Sequence, residues 1–373
     1  MTRILHLRSS RTIAGPERQI HELARAMRGS GFELEVALLS RPSATDPSPH
    51  PFLAELHASG IPAVEIADPD RSGRASRRAL RSRLASGAFR IVHSHDPKAN
   101  WVARAASTDA VARVATIHLH TRTTPALRLH AWIDRWNLRR FDRLIAVAES
   151  VASSWTGRGG VRPRIIVNGI DALELATRTE GERRDRAAGS AEGRSEERLL
   201  LAGRLSPQKG VDTLIRALPA ILAARPGARL EIAGEGPERA ALVDLAERTG
   251  VAPAIVWLGS RRDVLSLMSR ATMLVHPSRF EGAPYAILEA MALATPIVAT
   301  AVGAVPRLLG GGSAGRLVPP GSASALAAAT IELLGRPGER RVLGERARAR
   351  VVNEFPARRM ADETAALYRE LLP

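Results

Sequence analysis

Short apolar runs alternate with amphipathic helical segments through both halves of this 373-residue chain. No other feature of the sequence constrains the fold as strongly, because strands that alternate with helices join as right-handed units of a parallel sheet. The runs predict strands at residues 4–7, 34–39, 63–66, 90–93, 114–117, 144–147, 165–167, 199–202, 229–232, 255–258, 273–275, 296–299 and 316–318. We therefore expect an α/β fold with two doubly wound parallel sheets.

The length of the chain and one polar stretch indicate two domains. A chain of 373 residues is longer than a single hydrophobic core ordinarily stabilises. Residues 177–198 are charged and almost free of large apolar side chains, which is typical of a linker or surface loop. We assign an N-terminal Rossmann-like domain to 1–173, a charged linker to 174–198, a C-terminal Rossmann-like domain to 199–350, and a C-terminal helix that could pack back on the N-terminal domain to 351–373. Two such domains facing each other would leave a cleft at the carboxyl ends of their strands.

The charge of the chain is strongly basic and unevenly distributed. The net charge is +16, and residues 1–173 hold 26 lysines and arginines against 15 aspartates and glutamates. Such a basic half suits a nucleic acid, an acidic membrane surface, an anionic substrate or only a solvated surface. Aromatic residues make up 3% of the chain, and no recognition helix or zinc-finger pattern appears. Because single-stranded bases stack on aromatic side chains, we expect no nucleic-acid partner.

Cysteine content and apolar runs bear on the compartment. The chain contains no cysteine, so disulfide bonds and thiolate metal ligands are excluded. The N-terminus reads directly as a strand without an apolar leader. The most apolar long run, 290–306, contains a proline and falls short of the roughly 20 residues needed to cross a bilayer. We expect a cytoplasmic protein.

Two cations follow the first predicted strand of the second half. The apolar run at 199–202 leads into Gly203, Arg204 and, after a short loop, Lys209, and a helical pattern starts immediately afterwards. Lys209 is one of only two lysines in a chain rich in arginine. Two fixed cations beside the N–H groups of a helix start favour a diphosphate, which arginine binds in bidentate fashion and lysine as a point charge. The alternative is a solvated basic loop.

Glu281 and Glu289 are eight positions apart, with a Gly-Ala-Pro sequence between them. Because proline is favoured in the first helical turn, we expect a helix that starts at Pro284, with Glu281 in the preceding loop and Glu289 in the second turn. The N–H groups of a first turn carry partial positive charge, and carboxylates accept hydrogen bonds from hydroxyls. The pattern suits an anionic or hydroxyl-rich ligand. The alternative is a surface helix with two ordinary glutamates.

Four histidines stand in two pairs, His93 with His95 and His118 with His120, each at the end of a predicted strand. Because side chains alternate along a strand, both members of a pair share one face, so a metal site is conceivable. We favour the alternative, a single histidine that forms a hydrogen bond or handles a proton. The expectation is therefore that no metal is bound.

From Arg122 to Arg143, six arginines are interleaved with leucines and tryptophans. This composition suits a basic amphipathic helix that lies on an acidic membrane surface. It suits equally an outer helix of the sheet whose apolar side packs on the core. The sequence leaves both alternatives open.

Four segments carry a resemblance to a known family. Residues 167–171 read Val-Asn-Gly-Ile-Asp, Gly203-Arg204-Leu205 precedes Lys209-Gly210, residues 232–237 read Ile-Ala-Gly-Glu-Gly-Pro, and Phe280-Glu281-Gly282 precedes Glu289-Ala290-Met291-Ala292. In these motifs and their order, the chain resembles a GT-B glycosyltransferase of the large retaining family 4 type. The resemblance covers nearly the whole chain. It departs from the family in the first glycine loop, where Ala14-Gly15-Pro16 replaces adjacent glycines.

The resemblance implies roles for the residues that match the motifs of the C-terminal domain. Arg204 and Lys209 would neutralise the departing nucleoside diphosphate, and Gly203 would belong to the same donor-binding loop. Glu289 would accept hydrogen bonds from the ribose of the nucleotide. Glu281 would hold the sugar and stabilise the oxocarbenium charge that develops on it.

Further donor-binding positions follow from the same resemblance. The backbone next to Glu281 would help to hold the sugar, through Gly282, Ala283, Pro284 and Tyr285. His118 would lie near the transferred sugar, and Gly15 would lie close to the phosphates and the acceptor.

The function implied is transfer of a sugar from a nucleotide-sugar donor to a cell-envelope glycan or glycolipid, with retention of the anomeric configuration. The N-terminal domain would bind the acceptor and the C-terminal domain the donor, with no obligatory metal and no cofactor. Attachment to the inner face of the cell membrane would follow if the basic helix binds lipid. The alternatives are a nucleotide-sugar epimerase or a phosphorylase of the same fold and, in another class, a basic nucleic-acid-binding protein.

Overall fold

The computed structural model describes residues 1–9, 13–40, 50–69, 72–119, 125–155, 161–180 and 197–372. The chain divides into two compact units. Unit 1 comprises Met1–Gly169 and Ala357–Pro373, and unit 2 comprises Ile170–Pro356. Most of the predicted linker, residues 181–196, lies outside the described residues.

The described residues of unit 1 form a parallel sheet of seven strands. The strands are β1 Thr2–Ser9, β2 Phe32–Ser40, β3 Ala63–Ala67, β4 Phe89–Ser94, β5 Ala112–Ile117, β6 Arg143–Ala146 and β7 Arg164–Ile165. The helices between them are α1 Gly15–Ala26, α2 Pro51–Ala58, α3 Arg74–Ala85, α4 Pro97–Ala106, α5 Pro125–Leu138 and α6 Glu149–Ser153. The strand order is β3-β2-β1-β4-β5-β6-β7, so the direction of winding reverses between β1 and β4.

The described residues of unit 2 form a parallel sheet of six strands. These are β8 Arg198–Ala202, β9 Arg229–Ala233, β10 Ile255–Gly259, β11 Met273–His276, β12 Ile297–Thr300 and β13 Arg316–Val318. The helices are α7 Ala172–Arg178, α8 Val211–Ala224, α9 Arg239–Arg248, α10 Val264–Arg270, α11 Tyr285–Ala292, α12 Val305–Leu308, α13 Ala323–Leu334 and α14 Pro337–Glu354. The order β10-β9-β8-β11-β12-β13 reverses between β8 and β11. No helix within the described ranges is both long and apolar enough to cross a membrane.

The central strands are buried because helices cover both faces of each parallel sheet. Ile4, Leu5 and Leu7 of β1 are fully buried, which accounts for the near-continuous apolar run. His6 of β1 and His93 of β4 depart from this pattern, since both are polar and fully buried. A buried polar ring requires hydrogen-bond partners, so these two residues indicate a structural or functional network inside unit 1.

The last helix, α15 (Ala357–Arg369), belongs to unit 1 and packs against α1. Its buried side chains recur at the spacing of one helical face, and they include Met360, Ala361, Thr364, Ala365 and Tyr368. The Tyr368 ring meets the ring of Phe32 edge to face, with 5.6 Å between the ring centroids. The chain therefore returns to unit 1 after it has completed unit 2.

The stretch assigned to a linker begins inside a helix. The first turn of α7 is capped by Asp171, whose carboxylate accepts a hydrogen bond from the N–H of Glu174 at 3.1 Å. Leu175 and Ala176 are buried, and the helix packs against α11 and α14. A few buried apolar residues suffice to anchor this short helix. Because charged residues surround them, the sequence did not predict it.

Candidate active site

The loop after β8 carries the two predicted cations. It runs from Gly203 into a short 3-10 turn at Pro207–Lys209, and α8 begins at Val211. Arg204 is exposed, and among the described residues its guanidinium has no ion-pair or hydrogen-bond partner. The charge of Arg204 is therefore available to an anionic ligand.

The partly exposed Lys209 and the buried Glu281 form an ion pair within unit 2. The Nζ atom of Lys209 lies 2.6 Å from Oε1 of Glu281. The same carboxylate oxygen accepts hydrogen bonds from Oγ of Ser278 at 2.7 Å and from Nε2 of His276 at 3.0 Å. Glu281, Ser278 and His276 are all buried. One carboxylate oxygen at the carboxyl end of β11 thus has three donors around it.

The environment of Glu281 keeps its side chain charged. Burial favours the neutral acid, but the Lys209 ammonium and the hydrogen bond from His276 outweigh burial and hold the pKa of Glu281 well below its usual range. Burial lowers the pKa of His276 in spite of the neighbouring carboxylate, so its ring is neutral at pH 7 and donates through Nε2. The carboxylate remains a hydrogen-bond acceptor next to one cation.

Contacts between the loops after β8 and β11 fix this pair in place. Arg279 binds the carboxylate of Asp212 through two N–H···O bonds of 2.8 and 2.7 Å. The backbone N–H of Arg279 donates to the carbonyl of Gln208 at 2.8 Å. The side-chain amide of Gln208 donates to the carbonyl of Phe280 at 3.1 Å. A bidentate ion pair and two backbone bonds therefore hold the two loops in register.

Gly303 brings a third loop against the carboxylate loop. Its φ of +57° is a conformation that residues with a side chain rarely adopt, and a Cβ at this position would lie 2.1 Å from the carbonyl oxygen of Glu281. The next residue, Ala304, donates its N–H to the carbonyl of Gly282 at 2.8 Å. The close approach depends on glycine, and it supports the backbone on either side of the ion pair.

Helix α11 begins at Tyr285, one residue later than the sequence predicts. Pro284 precedes it as the N-cap residue, with φ −73° and ψ 125°. The fixed φ of proline suits this position, but its extended ψ excludes it from the helix itself. Glu289 lies in the second turn and is buried, as are Gly282 and Ala283 of the preceding loop. The two glutamates therefore occupy a loop and a helix, and neither is a solvated surface residue.

In unit 1, the predicted site residues His118 and Gly15 follow β5 and β1. Gly15 is the first residue of α1, and a Cβ at this position would have no neighbour within 4 Å among the described residues, which do not include 10–12. His118 is partly exposed, and its Nε2 lies 3.4 Å from Nδ1 of His95. Burial, together with the charge of Arg8, lowers the pKa of His118, so its ring is neutral at pH 7. His120 lies outside the described residues.

Three buried histidines of unit 1 lie close enough together to hold a metal ion. The ring nitrogens of His6, His93 and His95 are within 4.8 Å of one another. Each of these nitrogens, however, already has a hydrogen-bond partner within the chain. The pairs are His6 with His95 and Tyr368, His93 with Tyr368 and Thr116, and His95 with His118. A metal ion would have to replace bonds that already satisfy the rings.

Arg8, near the end of β1, is neutralised by acidic neighbours. Its Nε lies 2.6 Å from Oε1 of Glu17, and one terminal nitrogen lies 3.2 Å from Oδ2 of Asp96. The Asp96 carboxylate also caps α4 by accepting hydrogen bonds from the N–H groups of Lys98 and Ala99 at 3.0 Å. Arg8 is therefore part of the scaffold at this end of the sheet.

Helix α5 turns its apolar stripe away from the core of unit 1. Between 40 and 65% of the surface is exposed for four residues at i, i+3, i+4 and i+7, namely Leu129, Trp132, Ile133 and Trp136. The opposite face buries Asp134 and Asn137, which accept hydrogen bonds from Asn100 at 2.9 Å and Arg104 at 3.3 Å. The four exposed side chains therefore do not pack on the core, whereas Ala131 and Leu138 of the same helix are buried. Arg122 lies outside the described residues.

Comparisons with known proteins decide the family. Residues 13–172 match the family model described as Glycosyltransferase Family 4, and residues 196–336 match that of Glycosyl transferases group 1. The chain is 32% identical to a glycogen synthase of Mycobacterium tuberculosis over 397 residues, which cover 95% of this chain and 91% of the relative. The chain belongs to the family 4 glycosyltransferases.

Further relatives of this family 4 glycosyltransferase agree with its architecture. It is 31% identical to the phosphatidyl-myo-inositol mannosyltransferase of Mycolicibacterium smegmatis, over 86% of this chain and 81% of the relative. Its structure resembles that of Anabaena HepE in complex with UDP-glucose, with a TM-score of 0.82, 21% identity and coverage of 99% and 100% of the two chains. It also resembles sucrose-phosphate synthase from Thermosynechococcus elongatus, with a TM-score of 0.78, 20% identity and coverage of 100% and 99%. The predicted GT-B fold with two Rossmann-like parallel sheets is confirmed.

Each unit contains residues next to its candidate site residues that the sequence did not single out. His276 and Ser278 flank the Lys209–Glu281 pair, and their signal was a His-x-Ser sequence directly after a buried strand. Tyr368 contacts His6 and His93 from a helix hundreds of positions away, and it has no local signal at all. Long-range packing alone brings such residues together.

Proposed function

We propose that this enzyme transfers a sugar from a nucleoside diphosphate sugar to a cell-envelope glycan or glycolipid, with retention of the anomeric configuration. The observation that carries the proposal is one loop that contains both Arg204, which has no partner among the described residues, and Lys209, which is paired with the buried Glu281. This loop lies at the carboxyl ends of β8 and β11, where the winding reverses and doubly wound sheets bind ligands. The complex of HepE with UDP-glucose and the mannosyltransferase relative support the choice of donor and acceptor class.

Arg204 and Lys209 stabilise the departing diphosphate in this proposal. When the bond between the anomeric carbon and the diphosphate oxygen breaks, the electron pair stays on the oxygen. Two fixed cations offset the new charge without having to reorganise. The acceptor hydroxyl forms the new bond to the same face of the anomeric carbon, and its proton passes to the departing phosphate. Lys209 keeps its contact with Glu281, which holds the ammonium in place before the donor binds.

The two glutamates bind opposite ends of the donor. Glu281 stays ionised, so it can accept hydrogen bonds from sugar hydroxyls and stabilise positive charge on the sugar ring. Glu289, buried in α11, accepts hydrogen bonds from the ribose. In unit 1, His118 forms a hydrogen bond to the sugar, and Gly15 lies close to the phosphates or the acceptor.

Neither a metal nor a cofactor takes part in the proposed reaction, because the two cations perform the charge neutralisation that a metal would otherwise supply. Turnover should therefore be the same in the presence of EDTA and of magnesium chloride. A loss of activity in EDTA that magnesium restores would contradict this part of the proposal.

Product analysis tests the proposed reaction. The enzyme is incubated with a panel of nucleoside diphosphate sugars and glycan or polyprenyl-linked acceptors, and the products are identified by NMR and mass spectrometry. We expect a glycoside with the anomeric configuration of the donor. An inverted glycoside would contradict retention, whereas an epimerised nucleotide sugar or a free sugar phosphate would identify an epimerase or a phosphorylase.

We propose in addition that α5 attaches the enzyme to an acidic membrane surface, where a lipid-linked acceptor resides. The four exposed apolar side chains of α5 form one stripe, and arginines flank it. The Arg104 guanidinium lies 4.4 Å from the centre of the Trp136 ring, and that of Arg140 lies 5.9 Å from it. Tryptophans beside arginines suit the interface between lipid headgroups and acyl chains.

Vesicle sedimentation tests the membrane surface. The wild-type enzyme should sediment with vesicles that contain phosphatidylglycerol but not with pure phosphatidylcholine. The double variant Leu129→Ser/Trp132→Ser should stay in the supernatant, whereas Leu173→Ser, which removes a leucine of similar exposure (61%) from unit 2, should sediment like the wild type. Equal sedimentation of the wild type and the double variant would contradict the assignment.

A further inference from the structure

Six side chains of unit 1 form a continuous series of hydrogen-bond contacts that ends at His118. Thr116 Oγ1 lies 2.7 Å from His93 Nε2, and His93 Nδ1 lies 2.6 Å from the Tyr368 hydroxyl. That hydroxyl lies 3.2 Å from His6 Nε2. His6 Nδ1 is 2.9 Å from His95 Nε2, and His95 Nδ1 is 3.4 Å from His118 Nε2. All members except His118 are buried.

The rings in this series are neutral, which restricts their protons. Burial lowers the pKa of His6 to about 3 and lowers those of His93 and His95 well below the usual value. A neutral imidazole carries one N–H donor and one nitrogen acceptor. Each contact between two rings therefore needs the N–H of one ring opposite the bare nitrogen of the next. The tautomers of His6, His95 and His118 are consequently coupled.

The hydroxyl groups of Thr116 and Tyr368 determine the direction of hydrogen-bond donation along the series, which runs from Thr116 toward His118. Among the described residues, His93 is the partner of the Thr116 hydroxyl, and the Tyr368 hydroxyl contacts only His93 and His6. If Thr116 donates to His93, then His93 donates from Nδ1 to Tyr368, and Tyr368 donates to His6. The opposite direction leaves the buried Thr116 proton without an acceptor, which costs roughly 1–3 kcal/mol.

We infer that Thr116, His93, Tyr368, His6 and His95 are positioning residues that hold His118 as the Nδ1–H tautomer. In this arrangement all four histidines carry their proton on Nδ1. His118 accepts a hydrogen bond from His95 at Nε2 and presents Nδ1–H as a donor. A donor in a fixed direction suits the oxygen of a sugar hydroxyl. The catalytic consequence of this inference rests on the proposed function, whereas the hydrogen-bond geometry does not.

NMR of the enzyme labelled with ¹⁵N-histidine reads the tautomers directly. Long-range ¹H–¹⁵N correlations distinguish a protonated from a bare ring nitrogen, and single histidine-to-glutamine variants assign the signals. We expect Nδ1–H at His6, His93, His95 and His118. A wild-type spectrum with the His118 proton on Nε2 would overturn the inference. One metal ion per purified chain in elemental analysis would also overturn it, because the histidines would then be ligands.

Tyr368→Phe removes the central hydroxyl while it keeps the ring. The Nε2 atom of His6 then loses its donor, and we expect mixed tautomers at His6, His95 and His118. The kcat should fall about tenfold, the effect of one hydrogen bond worth about 1.4 kcal/mol, with KM for the donor unchanged. Thr116→Val, which removes the first donor of the series, should shift the same signals.

Thr364→Val is the matched control, because it removes another buried hydroxyl from α15, and among the described residues this hydroxyl bonds only to the carbonyl of Met360. It should change neither the tautomers nor kcat. Wild-type tautomers in Tyr368→Phe would overturn the inference. If the tautomers shift in Tyr368→Phe but its kcat equals that of Thr364→Val, the series would have no effect on catalysis and its members would not be positioning residues. If the wild type transfers no sugar, the proposed function fails, and the spectra still decide the tautomers.

Discussion

Units 1 and 2 wind their sheets in the same order, yet the arginines near the ends of their first strands have different surroundings. Arg8, in β1, contacts the carboxylates of Glu17 and Asp96. Arg204, just after β8, is exposed and has no ionic partner among the described residues. The buried groups nearby differ too, since unit 1 buries neutral histidines and unit 2 buries the Glu281 carboxylate, which is paired with the partly exposed Lys209.

This difference separates a structural cation from a cation that is available to a ligand. Two carboxylates surround the single charge of Arg8, so this cation is fully paired within unit 1. The carboxyl edge of unit 2 keeps a net positive charge on Arg204, and the same loop contains Lys209, which is paired with Glu281. The partners of these two arginines therefore indicate a structural role for Arg8 and, in the proposed function, a ligand-binding role for Arg204.

The largest expected effect concerns the ion pair of unit 2. Lys209→Met leaves the Glu281 carboxylate buried without its cation, which should lower the free energy of unfolding by about 3–5 kcal/mol. The double variant Lys209→Met/Glu281→Gln removes both charges and should recover most of this loss. Urea titration measures the effect, and hydrogen exchange of β8 and β11 locates it. A double variant as unstable as the single one would show that the ion pair is not the cause.

The next largest effect distinguishes the two arginines. Arg204→Ala should lower kcat/KM by about 10²–10³, or about 2.7–4 kcal/mol, because it removes a cation that contacts the diphosphate both in the bound donor and in the transition state. Its stability should be unchanged, because Arg204 is exposed and has no ion-pair partner among the described residues. Arg8→Ala should instead lower the urea midpoint, since it leaves the buried Glu17 and the partly exposed Asp96 without their cation. Arg248→Ala, at an exposed arginine of α9, is the control for both measurements. If Arg204→Ala loses as much stability as Arg8→Ala, the two arginines would not differ in their structural role, and this prediction would be wrong.

Per unit of pH, the smallest effect is the response of unit 1 to acid. The pKa of His6 is about 3 in the folded protein and near 6.5 in the unfolded chain. Between these values the unfolded chain binds a proton that the folded one does not, so the free energy of unfolding decreases as the pH falls below about 6.5. Each such histidine contributes up to about 1.4 kcal/mol per pH unit. Urea titrations from pH 4.5 to 7.5 should show a shallower dependence in His6→Gln, and an unchanged slope would mean that His6 is charged in the folded state.

The sequence predicted the strands well because each is a local apolar run. Strands were predicted at 4–7, 90–93 and 199–202, and they are observed at Thr2–Ser9, Phe89–Ser94 and Arg198–Ala202. The sequence did not predict which strands are neighbours or that both sheets share one order, because pairing depends on contacts between distant residues. The short helix α7 was also missed, since few apolar residues anchor it.

The site was predictable where a motif is local and unpredictable where partners are distant. Arg204 and Lys209 follow one strand, and Glu281 and Glu289 bracket a helix start, so the residue types and their spacing were sufficient to select them. The contact of Lys209 with Glu281 spans 72 positions, and it changes the interpretation of both residues. The family resemblance implies that Lys209 contacts the diphosphate and that Glu281 contacts the sugar. In the structure these two side chains also contact each other.

The central claim is that the loop after β8 binds the diphosphate of the donor, and calorimetric titration with UDP tests it most directly. Loss of the Arg204 guanidinium should weaken UDP binding by about 10–100-fold, as expected for a charge-assisted hydrogen bond worth about 1.5–3 kcal/mol. Arg248→Ala should bind UDP as tightly as the wild type. Equal UDP affinity in the wild type and Arg204→Ala would contradict the claim, because the diphosphate would then have to bind elsewhere.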